Sequence, residues 1–378
     1  MGLSKFNNVK ISGVKVVLPN KCINIDEELH FYKNEPKLLE RNKKILGLGK
    51  RYVVEDGITS LDLCEQAARE LMKEIGIDSA QIDTVIVASA DHEYRVPADA
   101  CILHGRFHLD ESCTCFDVSG LSCSAYVHTL WLAHSLIASG ASKKCLVLVG
   151  SMNSTHSDVR NRISNILYSD AGSATILEYT DNENTAFFYT GTSGKDWDKI
   201  ISPASGAKLP IRKDIAEIEV VDKDGNVWHL WDEILKGMDI FRFTMENAPF
   251  SVNKILEYAG LTMNDIDFVA FHQANGQIVK TVATHSGIPK DKSSNETFSK
   301  YANCGAPSVI SNICDVCKDK TINNLMMVTF GVGLSWGTAV MNFKKTYNGG
   351  ISFYKQNKKP MSREEQIEYW IKYFKGEQ

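Results

Sequence analysis

Three side chains in this sequence could together run thioester chemistry: Cys123, His272 and Asn303. Cys123 stands in CFDVSGLSCSAYVHTLWLAHSLIASG, residues 115–140, where an apolar strand turns into a long apolar helix. Residues 115–119 read as strand and 124–139 as helix, with Ser119 and Ser122 as caps and Gly140 as terminator. A helix that is apolar nearly all round is buried. Its N-terminus then offers N–H groups and partial positive charge to the thiol, which predicts a lowered pKa and a nucleophile. Position alone equally allows a small buried hydrophobe, the usual fate of cysteine. His272 ends an apolar strand in FHQAN, and Asn303 lies in the loop YANCGAPS. Taken singly, each has an ordinary structural reading. The glycine-rich turn in TFGVGLSWGTAVMNF lets backbone approach a ligand, and its N–H groups could join that of Cys123 in an oxyanion hole. A tight hairpin is the alternative. The turn does not fit G-x-G-x-x-G, so no dinucleotide site is read.

An internal repeat would position these groups. GIDSAQIDTVIVASAD begins at residue 76 and GLTMNDIDFVAFHQAN at residue 260, an offset of 184. Each follows a helical segment and gives a polar turn, an Ile–Asp pair, an apolar strand and a polar segment. Two copies of one α/β unit are expected, with sites at the C-terminal ends of the strands. The same offset carries Cys123 to position 307, four residues from Asn303, so one convergent Cys/His/Asn centre is favoured over three coincidences. Further strands are expected at 145–150, 173–179, 325–330 and 337–343. Residues 195–235 read as a polar insertion over one face, with a hairpin at Asp224–Gly225. At the C-terminus, Ser362 and Glu365 form a capping box. Ile367, Trp370, Ile371 and Phe374 then make an apolar stripe, read as docked on its own protein or on a partner. The expected division is 1–180, 181–345 and a C-terminal extension, 346–378.

Bulk properties set the class. The chain has 378 residues, 43% hydrophobic and 23% charged, with net charge −4. That suits a globular enzyme and gives no global case for nucleic acid or an anionic membrane. No apolar run reaches the length of a membrane span. The N-terminal segment lacks the apolar core of a signal peptide, and Phe6 breaks the myristoylation pattern. Ten cysteines then read as reduced thiols in a cytoplasm. Cys314-x-x-Cys317 has no second pair at zinc spacing, so no metal is expected. His128 and His134, on the buried helix, read as satisfied core histidines.

The residues carry a resemblance. FDVSGLSCSAY, LYSDAGSATILE, DFVAFHQANGQIV, NCGAPSV and FGVGLSWGTAVMNF resemble, in order and spacing, segments of the β-ketoacyl-acyl carrier protein synthase III family, over roughly residues 8–345. The resemblance implies a duplicated αβαβα thiolase-like fold with mixed sheets, a homodimer and no tightly bound cofactor. It implies that Cys123 takes an acyl group from a coenzyme A thioester, with the backbone N–H groups of Cys123, Val332 and Gly333 holding the acyl oxygen. His272 and Asn303 would stabilise the enolate formed as malonyl-acyl carrier protein loses CO₂, and the carbanion would attack the acyl-cysteine.

Several positions depart from the pattern. Gln277 replaces the arginine that docks the acidic carrier protein, and Thr284 and His285 replace a basic pair. Arg41 and Ile45 correspond to the residues that sandwich the coenzyme A adenine; Arg242 joins Gln277 and Arg41 as a candidate carrier or coenzyme A contact. Val96 replaces the bulky residue closing the acyl pocket, which points to a longer or branched acyl group. These departures keep a specialised lipid or polyketide pathway open beside housekeeping fatty acid synthesis. An acyltransferase, or a hydroxymethylglutaryl-CoA synthase-like condensation using Glu93 or Asp91, is the alternative. A papain-like protease has Cys, His and Asn in that order but lacks this repeat, and this chain lacks its local signature.

Overall fold

The computed structural model describes residues 2–155, 158–161, 163–356 and 360–377. Each copy of the repeat builds the same local unit. Helix Ser60–Ile75 opens on a Thr59/Asp62 capping box and stops at Gly76, whose φ of +68° closes the last turn. A short 3₁₀ turn capped by Asp78 leads into strand Thr84–Ala88. In the second copy, helix Gly237–Ala259 stops at Gly260, a turn capped by Thr262 follows, and strand Phe268–Phe271 begins 184 residues after its counterpart. The aspartate of the Ile–Asp pair has one job in both copies. Asp83 Oδ2 accepts the N–H groups of Lys143 (2.7 Å) and Lys144 (3.1 Å), at the start of strand Lys144–Ser151. Asp267 Oδ2 accepts those of Asn323 (2.6 Å) and Asn324 (3.0 Å), at the start of strand Asn324–Gly331.

Those strands pair alike. Thr84–Ala88 is parallel to Lys144–Ser151, which is antiparallel to Ala171–Tyr179; Phe268–Phe271 is parallel to Asn324–Gly331, which is antiparallel to Ser335–Asn342. The first sheet has six strands, in the order Tyr347–Phe353, Val9–Leu18, Ala171–Tyr179, Lys144–Ser151, Thr84–Ala88, Thr114–Val118. The second has five: Leu3–Phe6, Ala186–Thr192, Ser335–Asn342, Asn324–Gly331, Phe268–Phe271. Each end of the chain thus adds an edge strand to the sheet of the opposite half. The two sheets are mixed, as expected.

Helices Ala125–Ala138 and Ser308–Val316 lie between the sheets and contact both. Ser60–Ile75 covers the outer face of the first sheet; Gly237–Ala259, backed by Gly276–His285, covers that of the second. This is the αβαβα layering, with one apolar core between the sheets and one beneath each outer helix layer. The predicted hairpin is present, pairing Glu219–Val221 with Val227–His229 around Gly225 (φ +81°). The C-terminal helix, Arg363–Lys375, has its Ser362/Glu365 capping box. Its stripe is not buried on the chain: Ile367, Trp370, Ile371 and Phe374 are all exposed, and Trp370 meets the ring of Tyr94 edge-on at 5.7 Å besides those of Tyr369 and Tyr373 on its own helix. Among the described residues, no helix is long and apolar enough to cross a membrane.

Candidate functional site

Strand Thr114–Val118 and helix Ala125–Ala138 bracket Cys123, but the helix does not begin at the cysteine. Ser122–Ser124 form a 3₁₀ turn with Ser122 at a φ of +40°, and the helix starts after it without a side-chain cap. The expected caps at Ser119 and Ser122 are therefore replaced by this turn. The expected lowering of the thiol pKa is also corrected. Part of the Cys123 surface meets solvent, yet protein crowds the sulfur closely enough that desolvation pushes the thiol up to about 12, and the charge of Glu233 adds to the rise.

The glycine turn presses directly on this segment. A Cβ on Gly331 would stand 2.9 Å from both Cys123 Cβ and the Ser124 nitrogen. Ser124 Oγ lies 2.5 Å from Ser335 Oγ, which donates to the Val332 carbonyl at 2.6 Å. The Gly331–Val332–Gly333 turn is thereby laced to the residue after the cysteine.

His272 follows strand Phe268–Phe271, and its N–H donates to Val328 O at 2.9 Å on the neighbouring strand. Its Nδ1 sits 2.5 Å from Ser308 Oγ, which also accepts the Gln273 N–H at 3.1 Å. Where Ser308 Oγ donates to Nδ1, the imidazole carries its proton on Nε2. Burial holds the imidazole down at about 3, so it is neutral at physiological pH. The edge of Phe330, next to Gly331, closes on its ring at 5.4 Å.

Asn303 bridges to Tyr168: its N–H donates to Leu167 O (3.0 Å) and its carbonyl accepts the Ser169 N–H (2.9 Å). Asn303 Oδ1 accepts the Gly305 N–H at 2.9 Å, so the two hydrogens of Nδ2 are the free-ranging end of the amide. Gly305 is needed there: its φ is +63°, and a Cβ would stand 2.2 Å from Ser151 Oγ. The buried Tyr168 phenol lies 3.4 Å from Glu233 Oε1, within the field of the Cys123 thiol. Gly331 abuts Cys123, Phe330 beside it meets the His272 ring, and Tyr168 is bridged to Asn303.

The remaining sequence candidates lie apart. Val96 is 78% exposed in the single chain. Arg41, Arg242 and Gln277 are exposed, on helices Pro36–Leu46, Gly237–Ala259 and Gly276–His285, the last of which contacts each of the other two. Arg242 pairs with Asp239 at 2.9 Å, and Gln277 contacts Thr281 at 3.3 Å. Glu93 is engaged by Arg106 (2.8 Å) and Thr59 (2.8 Å), and Asp91 accepts the Met152 N–H at 2.7 Å. His128 and His134 bond to the carbonyls of Ser124 and Leu130, as satisfied histidines. Cys314 and Cys317 are buried free thiols. Sequence reasoning missed Tyr168, Ser308 and Glu233. The first two lie inside recognised segments, LYSDAG and NCGAPSV; Glu233 lies in the insertion, where no motif marks it.

Comparison with known proteins gives consistent matches. The family description 3-oxoacyl-(acyl-carrier-protein (ACP)) synthase III fits residues 116–194, and its C-terminal counterpart fits residues 256–343. A Campylobacter jejuni protein, provisionally named a 3-oxoacyl-(acyl-carrier-protein) synthase 3, is 34% identical over 94% of this chain and 99% of its own length. A β-ketoacyl-(acyl-carrier-protein) synthase III of Campylobacter curvus is 32% identical over 82% of this chain and 89% of its own. The crystal structure of a 3-oxoacyl-(acyl-carrier protein) synthase from Burkholderia xenovorans LB400 superposes with a TM-score of 0.84, at 28% identity, covering 93% of this chain and 99% of that one.

Proposed function

We propose, from the premise that this chain belongs to the 3-oxoacyl-(acyl-carrier-protein) synthase III family of acyltransferases, that Cys123 accepts an acyl group from acyl-coenzyme A and condenses it with malonyl-acyl carrier protein. The observation that supports the reading is a neutral His272 imidazole against Phe330, next to Gly331, the residue packed on Cys123. An imidazole held near a pKa of 3 does not protonate an enolate outright; with Asn303 Nδ2 it hydrogen-bonds the oxygen on which charge develops as CO₂ leaves. The carbanion then attacks the acyl-cysteine and gives a β-ketoacyl product. The N–H groups of Cys123, Val332 and Gly333 form the oxyanion hole; the lacing of Ser124, Ser335 and Val332 supports their fixed placement.

Coenzyme A thioester is substrate rather than resident cofactor. The adjoining helices that carry Arg41, Arg242 and Gln277 form the face that receives the coenzyme or carrier. The protein works as a homodimer in the cytoplasm, and exposure of Val96 in the single chain supports its closing the acyl pocket of a second copy. The division at 180/181 and 345/346 into two thiolase-like halves and an extension is retained, supported by the matching strand order of the sheets.

Intact-protein mass spectrometry against a panel of acyl-CoAs tests this. An adduct on Cys123, followed by CO₂ release and a β-ketoacyl product on adding malonyl-acyl carrier protein, is expected. Equal adduct yield in Cys123→Ala would overturn the nucleophile. Transfer of the acyl group to an alcohol or amine without CO₂ would overturn condensation in favour of acyl transfer.

A further inference from the structure

A cleft of about 470 Å³, within the range that small ligands occupy, is lined by Asp26, Lys43, Lys50, Tyr52, Lys300 and Tyr301. None of these belongs to the site described above. The walls are the helical segments Ile25–Tyr32 and Pro36–Leu46, the pair of strands Lys21–Asn24 and Lys50–Val53, and helix Glu296–Tyr301. The walls meet at Gly49. Its carbonyl accepts the Ile25 N–H at 3.0 Å, and a Cβ there would stand 2.0 Å from the Ser299 carbonyl oxygen, so only glycine allows the approach. The face proposed for the coenzyme lies elsewhere on helix Pro36–Leu46. Lys37, Arg41 and Lys44 form one exposed stripe at i, i+4 and i+7, whereas Lys43 turns to Asp26 on the neighbouring segment.

The lining presents cationic donors beside aromatic surface. An ammonium group has three N–H donors and no acceptor. Lys43 uses two of them, on Asp26 (2.7 Å) and Glu40 (3.0 Å). Lys300 gives two to the oxygens of Asp315, both at 3.0 Å. Lys50 is exposed and makes no ion pair among the described residues. The carboxylates thus fix two ammonium groups, and Lys50 is the cation without a counter-ion. Donors remain on all three lysines. An anion with several acceptor oxygens takes them together, and a phosphate has more of these than a carboxylate. The rings of Tyr52 and Tyr301, half-buried, have centroids 5.9 Å apart and are inclined at 44°, which offers a flat group an apolar surface. Both rings belong to segments that hold Asn303. Tyr301 stands two residues before it. The Tyr52 N–H donates to Ser169 Oγ at 2.7 Å, and the Ser169 N–H donates to Asn303 O at 2.9 Å.

We propose that this cleft binds a phosphate monoester carrying a flat ring, a nucleoside monophosphate in class. The phosphate meets Lys43, Lys50 and Lys300, and the ring lies against Tyr52 and Tyr301. Occupancy ties Tyr301 to the hairpin and so steadies the loop that ends in Asn303. The site is separate from the one that takes coenzyme A. It does not depend on the reaction that Cys123 carries out.

Calorimetric titration of the full chain with AMP, adenosine and inorganic phosphate tests this, with saturating coenzyme A present to fill the coenzyme face. AMP is expected to bind at least about tenfold more tightly than adenosine or phosphate, since only AMP engages both lysines and rings. Lys50→Glu weakens AMP at least about tenfold, while acylation of Cys123 by acyl-CoA stays within about threefold of wild type and shows the chain is folded. Tyr301→Leu weakens AMP and leaves phosphate within about threefold. Amide hydrogen exchange over residues 299–303 slows when AMP is bound. Absence of AMP binding, or Lys50→Glu binding AMP like wild type, overturns the inference. Loss of AMP binding in Arg41→Glu but not in Lys50→Glu, or its abolition by coenzyme A, places the ligand on the coenzyme face and also overturns it. Phosphate binding as tightly as AMP overturns the assigned class. A wild-type chain that binds AMP as expected but takes no acyl group would refute the role of Cys123 and leave this site standing.

Discussion

Gly331 and Cys123 are in direct van der Waals contact across the two halves of the molecule. A single methyl on Gly331 would come 2.9 Å from Cys123 Cβ and equally close to the Ser124 nitrogen. Both neighbours are backbone-anchored, so neither swings away. Gly331→Ala is expected to displace the nucleophile turn, cut acylation about 100-fold and cost about 1–3 kcal/mol in stability. Acyl-adduct kinetics with a denaturant melt checks this. Wild-type adduct rates would show that the contact does not position the thiol.

His272 and Asn303 should matter to one half-reaction and not the other. His272→Ala and Asn303→Ala are each expected to lower condensation about 100–1000-fold while Cys123 still takes its acyl group. The acyl-enzyme then accumulates in the presence of malonyl-acyl carrier protein, which mass spectrometry reads directly. Loss of the adduct in either variant would move that residue's role to the first step.

The thiol's raised pKa sets a direction for pH. A group near 12 is protonated at neutrality, and its thiolate fraction grows with every step upward. Iodoacetamide alkylation of Cys123 should therefore rise about tenfold per unit between pH 7 and 9. A plateau by pH 8 would show that the thiol ionises far below the value burial dictates.

The C-terminal helix should contribute little to folding. Phe374 is 85% exposed and Ile371 47%. Ile371→Asp with Phe374→Asp is expected to change stability by no more than about 0.5 kcal/mol, the ordinary range for exposed positions. Thermal melts of the two chains test this; a large loss would mean the stripe is covered in solution.

The sequence by itself determined the elements and the chemistry-bearing positions. Strands at 145–150, 173–179, 325–330 and 337–343, the Asp224–Gly225 hairpin and the Ser362 cap all follow from apolar period and turn residues, which act over a few neighbours. The 184-residue offset foretold matching strands because two similar segments bury the same faces. Cys123, His272 and Asn303 each had an ordinary structural reading, and only the repeat offset and the family resemblance singled them out as one group. Tertiary structure alone decided what surrounds them. The helix end argued for an acidic thiol, but desolvation and the charge of Glu233 prevail, and both depend on segments more than a hundred residues away closing over the sulfur. Glu233 carried no local signal, since its place is set by a clasp between Asp158, Arg160 and Glu219. Exposure of Val96 and of the Phe374 stripe was equally hidden. Periodicity reports that a face is apolar; only the packed chain decides what, if anything, covers it.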